Sequence, residues 1–493
     1  MKQLNVSKIL EYGETAVQLL FLTYTALGFN SITFGTPIIS ATMWISYLLG
    51  AALLLVRLWN WKRYIRTPGL VCLVVMCAVA VVSIGMNLRY DPKRNIIGLI
   101  FWIFYFFLYY AQREDMDPEL AKKRFRLAGL LMCVFAFVLA SVSLVMMAKR
   151  YSEILEILGS TVIRGFTHGR LYGAYLTPNG GAVIASIVIF LSVYFIGRYR
   201  SIAWRVFAAV NIPVQFLYIV FSDSRSGKLC LTFGAAVYVL FASLASKRLR
   251  AGRGKGLIVA ALVLATAVGS FYAPKLTQKA YNGLVAAVSQ QMAENAAQET
   301  VSSQPTDAQT PTEETKVDEQ LRQEILNAYQ VDRGYDLSGD ISNRRFDIWK
   351  SGLEIFLRRP WYGTTFSGFL PYALENMPDT YIVSNDYMQM TTLDSDFVNL
   401  LVSNGIFGLL GFLAFVVWVL VSLLRKVFAK AYRDAQLPVM MAVCMAAAVY
   451  SLFSSGVLYL QAPFSVLFWL SLGSMTTMVK CREKEVCGDA AAH

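Results

Sequence analysis

Long apolar segments alternate with short polar connections along most of this 493-residue chain. About twelve segments are long enough to cross a bilayer, because roughly 20 helical residues span a hydrocarbon core about 30 Å thick. The pattern therefore predicts an all-α, polytopic membrane protein with about twelve transmembrane helices. The predicted spans centre on Thr15–Leu27, Ile38–Val56, Leu70–Met86, Ile96–Tyr110, Leu127–Met147, Gly181–Ile196, Val206–Val220, Leu229–Leu244, Leu257–Tyr272, Phe397–Leu424, Val439–Tyr459 and Phe464–Val479.

One long polar segment, 274–394, interrupts this pattern late in the chain. It separates the predicted spans of 1–273 from those of 395–480, and a short polar tail follows at 481–493. We expect this segment to form a large loop at one face of the membrane. Its part from about 289 to 318 is rich in Gln, Ala, Thr, Glu and Ser with few large apolar residues, which predicts disorder.

The second half of this loop contains the pattern of a short amphipathic helix over 343–356, which Pro360 should end. Four large apolar residues lie at the spacing of one helix face. They are Phe346, Trp349, Leu353 and Phe356. We expect the aromatic, Gly-broken segment after it to lie at the membrane interface, as aromatic residues often do. Two interpretations of the helix stay open: it lies on lipid with its arginines on the headgroups, or its arginine belongs to a functional site.

Composition supports a membrane protein and sets its orientation. Hydrophobic residues make up 56% of the chain and charged residues only 16%, with a mean hydropathy of +0.49. Most of the 45 lysines and arginines fall in cytoplasmic loops if the N-terminus lies inside, so we expect both termini in the cytoplasm. The net charge of +13 then comes mostly from basic residues that contact anionic lipid at the inner face of the membrane, rather than from a nucleic-acid-binding surface.

The cysteine and histidine content predicts no metal site and no cofactor. The chain has seven cysteines and two histidines, and their spacing matches no metal-ligand pattern. The cysteines lie in predicted spans or in the tail, so the loop is expected to fold without disulfides.

Several charged and polar residues come to one membrane face under this topology. Two basic residues lie in a tight turn between two apolar segments, where charge is costly and often marks function. The alternative is that they extend to the interface at a helix end. Aspartates that open a helix can equally be N-caps. The candidate residues are Arg170, Tyr172, Asn179, Arg225, Lys228, Arg345, Trp349, Asp394 and Asp396.

These residue types suit an anionic, lipid-linked substrate. Arginine forks bind phosphate oxygens bidentately, and a carboxylate can take the proton of an attacking hydroxyl. Diphosphate becomes a good leaving group once its charge is neutralised.

The motifs that carry these residues make the chain resemble the O-antigen ligase and O-antigen polymerase superfamily of bacterial membrane glycosyltransferases. Members have about twelve spans, a large outer loop late in the chain and four short signatures. The resemblance covers roughly 170–415. The matching positions are Arg170, Gly173, Pro178 and Asn179, then Ser224 and Arg225, then Arg345, Trp349, Pro360 and Gly363, and finally Asp394, Ser395, Phe397, Val398, Gly405 and Gly408.

This resemblance implies polymerisation of glycan repeat units carried on a polyprenyl diphosphate, as for capsule, exopolysaccharide or O-antigen, at the outer face of a bacterial plasma membrane. The expected reaction is inverting and needs no metal. Arg225 and Arg345 would hold the diphosphate, and Asp394 would be the base. The ligases have histidine where this chain has Asp394, which favours a polymerase and leaves Asp396 as the other candidate base.

Three other functions stay open. A ligase would transfer finished glycan from the carrier to a lipid, protein or wall acceptor. A polysaccharide transporter or flippase would also be multispan and basic, although no internal repeat is evident. A non-catalytic scaffold would use the loop as a docking arm. For the enzyme we expect a lipid-linked donor, a glycan acceptor and membrane lipid as partners, with a flippase and a chain-length regulator as further candidates.

Overall fold

The fold is almost entirely helical. The computed structural model describes residues 2–246, 255–303, 320, 322–326, 328–332, 344–385, 390–429 and 434–490. The first helices are α1 Lys2–Gly28, α2 Pro37–Trp59, α3 Leu70–Met86, α4 Pro92–Phe104 and α5 Pro118–Ala148. They are followed by α6 Pro178–Arg198, α7 Ile202–Ser222, α8 Arg225–Ala245 and α9 Lys255–Ser303. The last are α10 Arg345–Arg358, α11 Phe369–Asn376, α12 Tyr381–Ser384, α13 Asp396–Ala429, α14 Leu437–Phe453 and α15 Pro463–Ala490.

Each of the twelve apolar segments coincides with a helix, and the prediction of an all-α, multi-pass membrane protein is confirmed. Seven of the described helices are long and apolar enough to cross a membrane, and α3 and α14 are shorter apolar helices. The fourth predicted span continues α4 through a π-helical turn, Tyr105–Tyr110. The eleventh ends at Phe453, earlier than predicted, because the backbone turns at 454–458.

The centre of the bundle is α6, which is buried along most of its length. It contacts α5, α7, α8 and α14. Its sequence explains this position, because α6 has no charged residue before Arg198 at its C-terminal end. A helix that is apolar all round is stable only when it is surrounded by protein or lipid.

A three-stranded antiparallel sheet between α5 and α6 was not predicted. Its strands are β1 Ser152–Ile157, β2 Ser160–Thr167 and β3 Arg170–Gly173, in the order β1-β2-β3. Leu158 and Gly159 form the β1–β2 turn with φ of +53° and +72°, as a two-residue hairpin turn requires. The sequence signal for β1 was weak, because 152–157 (Ser-Glu-Ile-Leu-Glu-Ile) is short and does not alternate strictly between polar and apolar residues.

The predicted disorder from residue 289 is wrong as far as residue 303, because α9 continues to Ser303. Val285, Ser289 and Ala293 are buried at helical spacing, so this part of α9 packs against protein. Ala, Gln, Met and Glu in this segment are good helix formers, which explains how a polar sequence extends the helix. Residues 304–318 of the predicted disordered stretch lie outside the described residues.

Helix α10 confirms the predicted amphipathic helix but buries a different face. It begins at Arg345 and ends at Arg358, two residues before Pro360. Its buried residues are Ile348, Ser351, Gly352 and Ile355. Of the predicted face, Phe346 and Leu353 are exposed, while Trp349 and Phe356 are partly buried. The prediction failed because α10 has two apolar faces and sequence alone does not say which one packs.

The loop after α10 is inserted into a break in α13. Gly405 has φ +64° and ψ −165°, which interrupts the helix. The backbone of 360–365 satisfies the groups that the break frees. The bonds run from Thr364 N to Val402 O (2.9 Å), Thr365 N to Ser403 O (3.0 Å) and Ile406 N to Pro360 O (2.8 Å).

Buried charges tie helices together near the middle of α1. Glu14 pairs with Arg124 of α5 at 2.8 Å and with Arg57 of α2 at 3.5 Å. Glu14 precedes Gly28 by half the helix, a distance of roughly 20 Å at 1.5 Å per residue. This cluster and the cavity described below therefore lie at different levels of the bundle.

Candidate active site

A cavity of about 920 Å³ lies where the α1–α2 connection, the start of α6 and the α14–α15 connection meet. The tip of the β1–β2 hairpin, Leu158, lies at this cavity, as does the segment that leads into α13. Two of the predicted site residues line it, Asn179 and Asp394. The site is therefore built around this cavity.

Asp394 is held in an unusual backbone conformation two residues before α13. Its φ is +48°, a region that Asp tolerates better than most residues. Thr392 Oγ1 donates to Asp394 Oδ1 at 3.2 Å. The surrounding protein raises the pKa of Asp394, and Arg345 and the Thr392 hydrogen bond lower it in part. The net upward direction brings the carboxyl closer to the range in which a general base works.

Arg345 is the charged partner of Asp394. Its Nε lies 3.9 Å from Asp394 Oδ2, and its guanidinium is 5.9 Å from the centre of the Phe453 ring. Nε is buried and has no hydrogen-bond partner among the described residues. Arg345 is the first residue of α10, so the position of the guanidinium depends on how α10 is docked.

Two glycines explain how closely the loop approaches α13. A Cβ on Gly363 would lie 2.4 Å from the carbonyl oxygen of Val402, and one on Gly405 would lie 2.4 Å from the carbonyl carbon of Trp361. Both glycines also have positive φ. Gly363 and Gly405 are glycines of the Pro-x-x-Gly and Gly-x-x-Gly motifs. They allow the loop after α10 to pack against α13, and this contact fixes the positions of Arg345 and Asp394.

A second polar group centres on Asn179 at the start of α6. Arg170 Nη2 and Ser224 Oγ both donate to Asn179 Oδ1, at 3.1 and 2.9 Å. Arg170 Nε donates to the Ser222 carbonyl at 3.0 Å, and its guanidinium is 5.8 Å from the Tyr172 ring centre. Arg170 is buried, so in this structure it orients Asn179 and the α7–α8 turn rather than lining the cavity.

Arg225, Lys228 and Trp349 are not among the residues that line the cavity. Arg225 opens α8 directly after Ser224, whose hydroxyl caps that helix through Gly227 N at 3.0 Å. Lys228 Nζ pairs with Asp223 at 2.6 Å and with Gln278 Oε1 at 3.3 Å. Trp349 lies in the cluster under α10, with its ring 5.8 Å from that of Phe346.

Asp396 is separated from Asp394 by the structure. It is 1% exposed, and its Oδ2 accepts from the backbone N–H groups of Val457 and Leu458 at 2.6 and 3.3 Å. It therefore holds the α14–α15 connection in place. The two carboxylates that the sequence left as alternative bases thus have different surroundings, and only Asp394 faces the cavity.

Sequence reasoning missed one wall of the cavity. It comes from the end of α14 and the connection to α15, and it includes Tyr450, Ser454, Ser455 and Tyr459. Tyr459 donates to Asn404 Oδ1 at 3.1 Å and its ring stacks on Phe366 at 4.3 Å. The signal was the Ser-Ser-Gly interruption at 454–456 inside one predicted span.

Comparison with known families gives one family match. No curated protein matches the chain. A family model described as O-Antigen ligase matches residues 212–413, which include α8, α10, Asp394 and the Gly405 break. The predicted resemblance to the O-antigen ligase and polymerase superfamily is confirmed over this part of the chain.

Proposed function

We propose that this protein is a membrane glycosyltransferase that polymerises oligosaccharide repeat units carried on a polyprenyl diphosphate. The observation that carries the proposal is Asp394, which faces a cavity of about 920 Å³ with Arg345 at 3.9 Å. The O-antigen ligase domain supports glycan transfer at a membrane in general. The choice of polymerase rests on Asp394, where the ligases of the superfamily have histidine.

The cavity suits a substrate with an apolar part and a polar part. Its α1–α2 side is apolar, with Phe29, Phe34, Ile39 and Met43. Its opposite side carries Asp394 and the polar connection after α14. A lipid-linked glycan has this character, because its polyprenyl chain stays in the bilayer while its diphosphate and sugars require polar groups.

The proposed reaction is a single displacement at the anomeric carbon of the donor. An acceptor hydroxyl attacks, Asp394 takes the hydroxyl proton, and the bond from the anomeric carbon to the diphosphate oxygen breaks with its electron pair. The diphosphate leaves on its carrier, and the configuration at the anomeric carbon inverts. No metal or nucleotide sugar takes part in this proposal.

Arg345 has two tasks in this proposal. Its charge favours the ionised form of Asp394, and its fork neutralises the leaving diphosphate. Arg225 supplies the second fork from the start of α8, where the helix N-terminus also favours an anion. Asn179, held by Arg170 and Ser224, offers its amide to sugar hydroxyls. Tyr172 and Trp349 shape the surroundings of Arg170 and Arg345, and Lys228 adds positive charge beside the α8 turn.

The proposed location is the plasma membrane of a bacterium, with the cavity at its outer face and both termini inside. The donor, the growing glycan and membrane lipid are the proposed partners, together with a flippase that supplies the donor and a chain-length regulator. The alternative that fits the same cavity is a ligase that transfers finished glycan to another acceptor, because the chemistry at the anomeric carbon is the same. A transporter is less well supported, since no internal sequence repeat of the kind common in transporters is evident.

Glycan analysis of a strain that lacks this protein tests the proposal. We expect single repeat units to accumulate on the carrier, and long chains to return with the wild-type protein but not with Asp394→Asn. Long chains that accumulate without attachment would show a ligase instead. Normal glycans from the Asp394→Asn strain, with the variant inserted in the membrane, would contradict the assignment of the base.

A further inference from the structure

Helix α10 has two apolar faces on opposite sides. One is buried against the protein through Ile348, Ser351, Gly352 and Ile355. The other carries Phe346, Leu353 and Leu357, which are 67%, 50% and 66% exposed. At 100° per residue these three lie within about 20° of one line, and that line is opposite the centre of the buried face. Packing on the protein therefore leaves the second apolar face unused.

Three charged residues of α10 lie on one side of the helix, between these faces. Asp347 and Arg358 are exposed there, and Glu354 is half-buried between them. Lys350 lies within the exposed apolar face, where its long stem can extend to the level of the headgroups. A helix with an apolar face, a charged side and a basic residue between them is typical of helices that lie in the plane of a membrane interface.

The exposed face of α10 is continuous with the lipid-facing surface of α13. Trp361 follows α10, is 61% exposed and stacks on Phe407 of α13, with ring centres 5.8 Å apart and planes at 30°. Phe407 and Leu410 are themselves about half exposed on a helix apolar enough to cross a membrane. The insertion of 360–365 at the Gly405 break fixes this arrangement, so α10 ends at the side of a spanning helix.

We propose that α10 is an interfacial helix whose Phe346, Leu353 and Leu357 insert into the lipid leaflet on the cavity side of the membrane. The partner is the bilayer itself, because the apolar face of α10 joins the lipid-facing surface of α13 through Trp361. This lipid contact presses the buried face of α10 onto the protein and holds Arg345, its first residue, beside Asp394. The assignment does not depend on which glycan the site uses.

Collision accessibility of spin labels tests this in the full-length protein. The seven native cysteines are replaced, the protein is reconstituted in phosphatidylcholine and phosphatidylglycerol vesicles, and single labels are placed at four positions of α10. Leu353 and Leu357 report on the proposed lipid face, and Asp347 and Arg358 are matched controls on the charged side. We expect the ratio of oxygen to water-soluble nickel accessibility to be several-fold higher at Leu353 and Leu357.

Two outcomes would overturn the proposal. Equal nickel accessibility at all four positions would place the apolar face in water. Protection of Leu353 and Leu357 from both reagents would show a protein partner or a second copy on that face. As a second readout, Leu353→Lys combined with Leu357→Lys should lower glycan transfer several-fold in vesicles, whereas Asp347→Lys should not. Unchanged transfer by the double variant, when the single labels at Leu353 and Leu357 report lipid, would separate lipid contact from the position of Arg345 and remove that part of the proposal.

Discussion

At the scale of single residues, two aspartates two positions apart have different surroundings. Asp394 is 36% exposed toward the cavity, whereas the Asp396 carboxylate is enclosed and accepts two backbone N–H groups. The left-handed backbone of Asp394 turns the chain before α13, so the two side chains do not lie on one helix face. Each carboxylate should therefore fail in a different way when it is replaced.

We expect Asp394→Asn to keep the melting temperature of the protein and lose glycan transfer, because an amide takes no proton at neutral pH. Asp396→Asn should keep transfer, since its amide oxygen still accepts from Val457 N. Asp396→Leu should lower the free energy of unfolding by about 1–3 kcal/mol for each buried N–H left without an acceptor. Thermal unfolding in detergent and a transfer assay separate these effects. An inactive Asp396→Asn protein with normal stability would make Asp396 the base.

The pH dependence of glycan transfer should reveal the effect of Arg345 on the pKa of Asp394. Burial raises the pKa of Asp394, and the Arg345 charge opposes that rise. A base must be ionised, so transfer is lost as pH falls through this pKa. Removing the positive charge in Arg345→Gln should raise the pKa further and move the acidic limb of kcat/KM to higher pH.

Arg345→Lys is the matched control for this shift. It keeps the charge, so the acidic limb should stay near its wild-type position, while kcat falls because a point charge lacks the diphosphate-binding fork. Identical acidic limbs for the wild type and Arg345→Gln would mean that Arg345 does not act on the titrating group.

Residue identities alone suggested most of this site but not its geometry. The sequence marked Arg345, Asn179 and Asp394 because the predicted topology brings them to one membrane face and because they fall in the motifs of the resemblance. It could not choose between Asp394 and Asp396, since the backbone turn at Asp394 and the acceptor role of Asp396 arise only when α13 meets the α14–α15 connection. Arg170 likewise looked like a ligand for substrate, and its bonds to Asn179 and Ser222 depend on the unpredicted β3 strand.

At the scale of elements, the contact between the 360–365 loop and α13 fixes where α10 lies relative to the cavity. Gly405 has a backbone conformation that is essentially restricted to glycine. Gly405→Ala should cost about 1–3 kcal/mol from backbone strain alone. The new Cβ would also meet Trp361 and Pro360 backbone atoms at 2.4–2.6 Å. We expect a lower melting temperature and loss of transfer, because Arg345 moves with the loop.

Gly85→Ala in α3 is the control, since a Cβ there meets no atom within 4 Å. It should be neutral or slightly stabilising, as alanine favours a helix more than glycine does. If Gly405→Ala retained full stability and activity, the loop would tolerate displacement and would not fix Arg345.

The polar end of α9 changes the expected tolerance of the loop to deletion. Ser289 and Ala293 are buried on the helix, so removing 289–303 should destabilise the protein. Removing 304–318 and joining the ends with a short Gly/Ser linker should keep transfer, because loop length has only a small entropic cost. Melting temperature and transfer of the two deletions give the comparison. Loss of transfer on deleting 304–318 alone, in a protein that still inserts, would identify that segment as a functional arm.

The elements themselves were largely predictable from hydropathy, and their exceptions have physical causes. Every predicted apolar segment coincides with a helix, because lipid allows few alternatives to a helix. The β1–β3 sheet was missed since its strands are short and half-exposed. The prediction of which face of α10 packs was wrong, because both faces are apolar. One face packs on the protein, and the other is the proposed lipid contact.

At the scale of the whole molecule, the buried charge cluster on α1 and the cavity lie at different levels of the helix bundle. The Glu14, Arg57 and Arg124 cluster joins α1, α2 and α5, about 20 Å along α1 from the cavity. Breaking such a cluster by removing one partner leaves buried charge without compensation. The basic loops of the sequence fall on the side of this cluster, which predicts that the cavity opens to the outside of the cell.

Labelling with a membrane-impermeant thiol reagent tests this orientation. In a cysteine-free protein, single cysteines are introduced at Leu158, the 82% exposed hairpin tip at the cavity, and at Trp61, which is 52% exposed after α2. The hairpin and the end of α2 should lie on opposite sides, because α2 runs from the cavity at Ile39 to Arg57 in the buried charge cluster. We expect Leu158→Cys to react in intact cells and Trp61→Cys only after lysis. The reverse pattern would place the cavity in the cytoplasm, where a lipid-linked donor waiting on the outer leaflet could not reach Asp394.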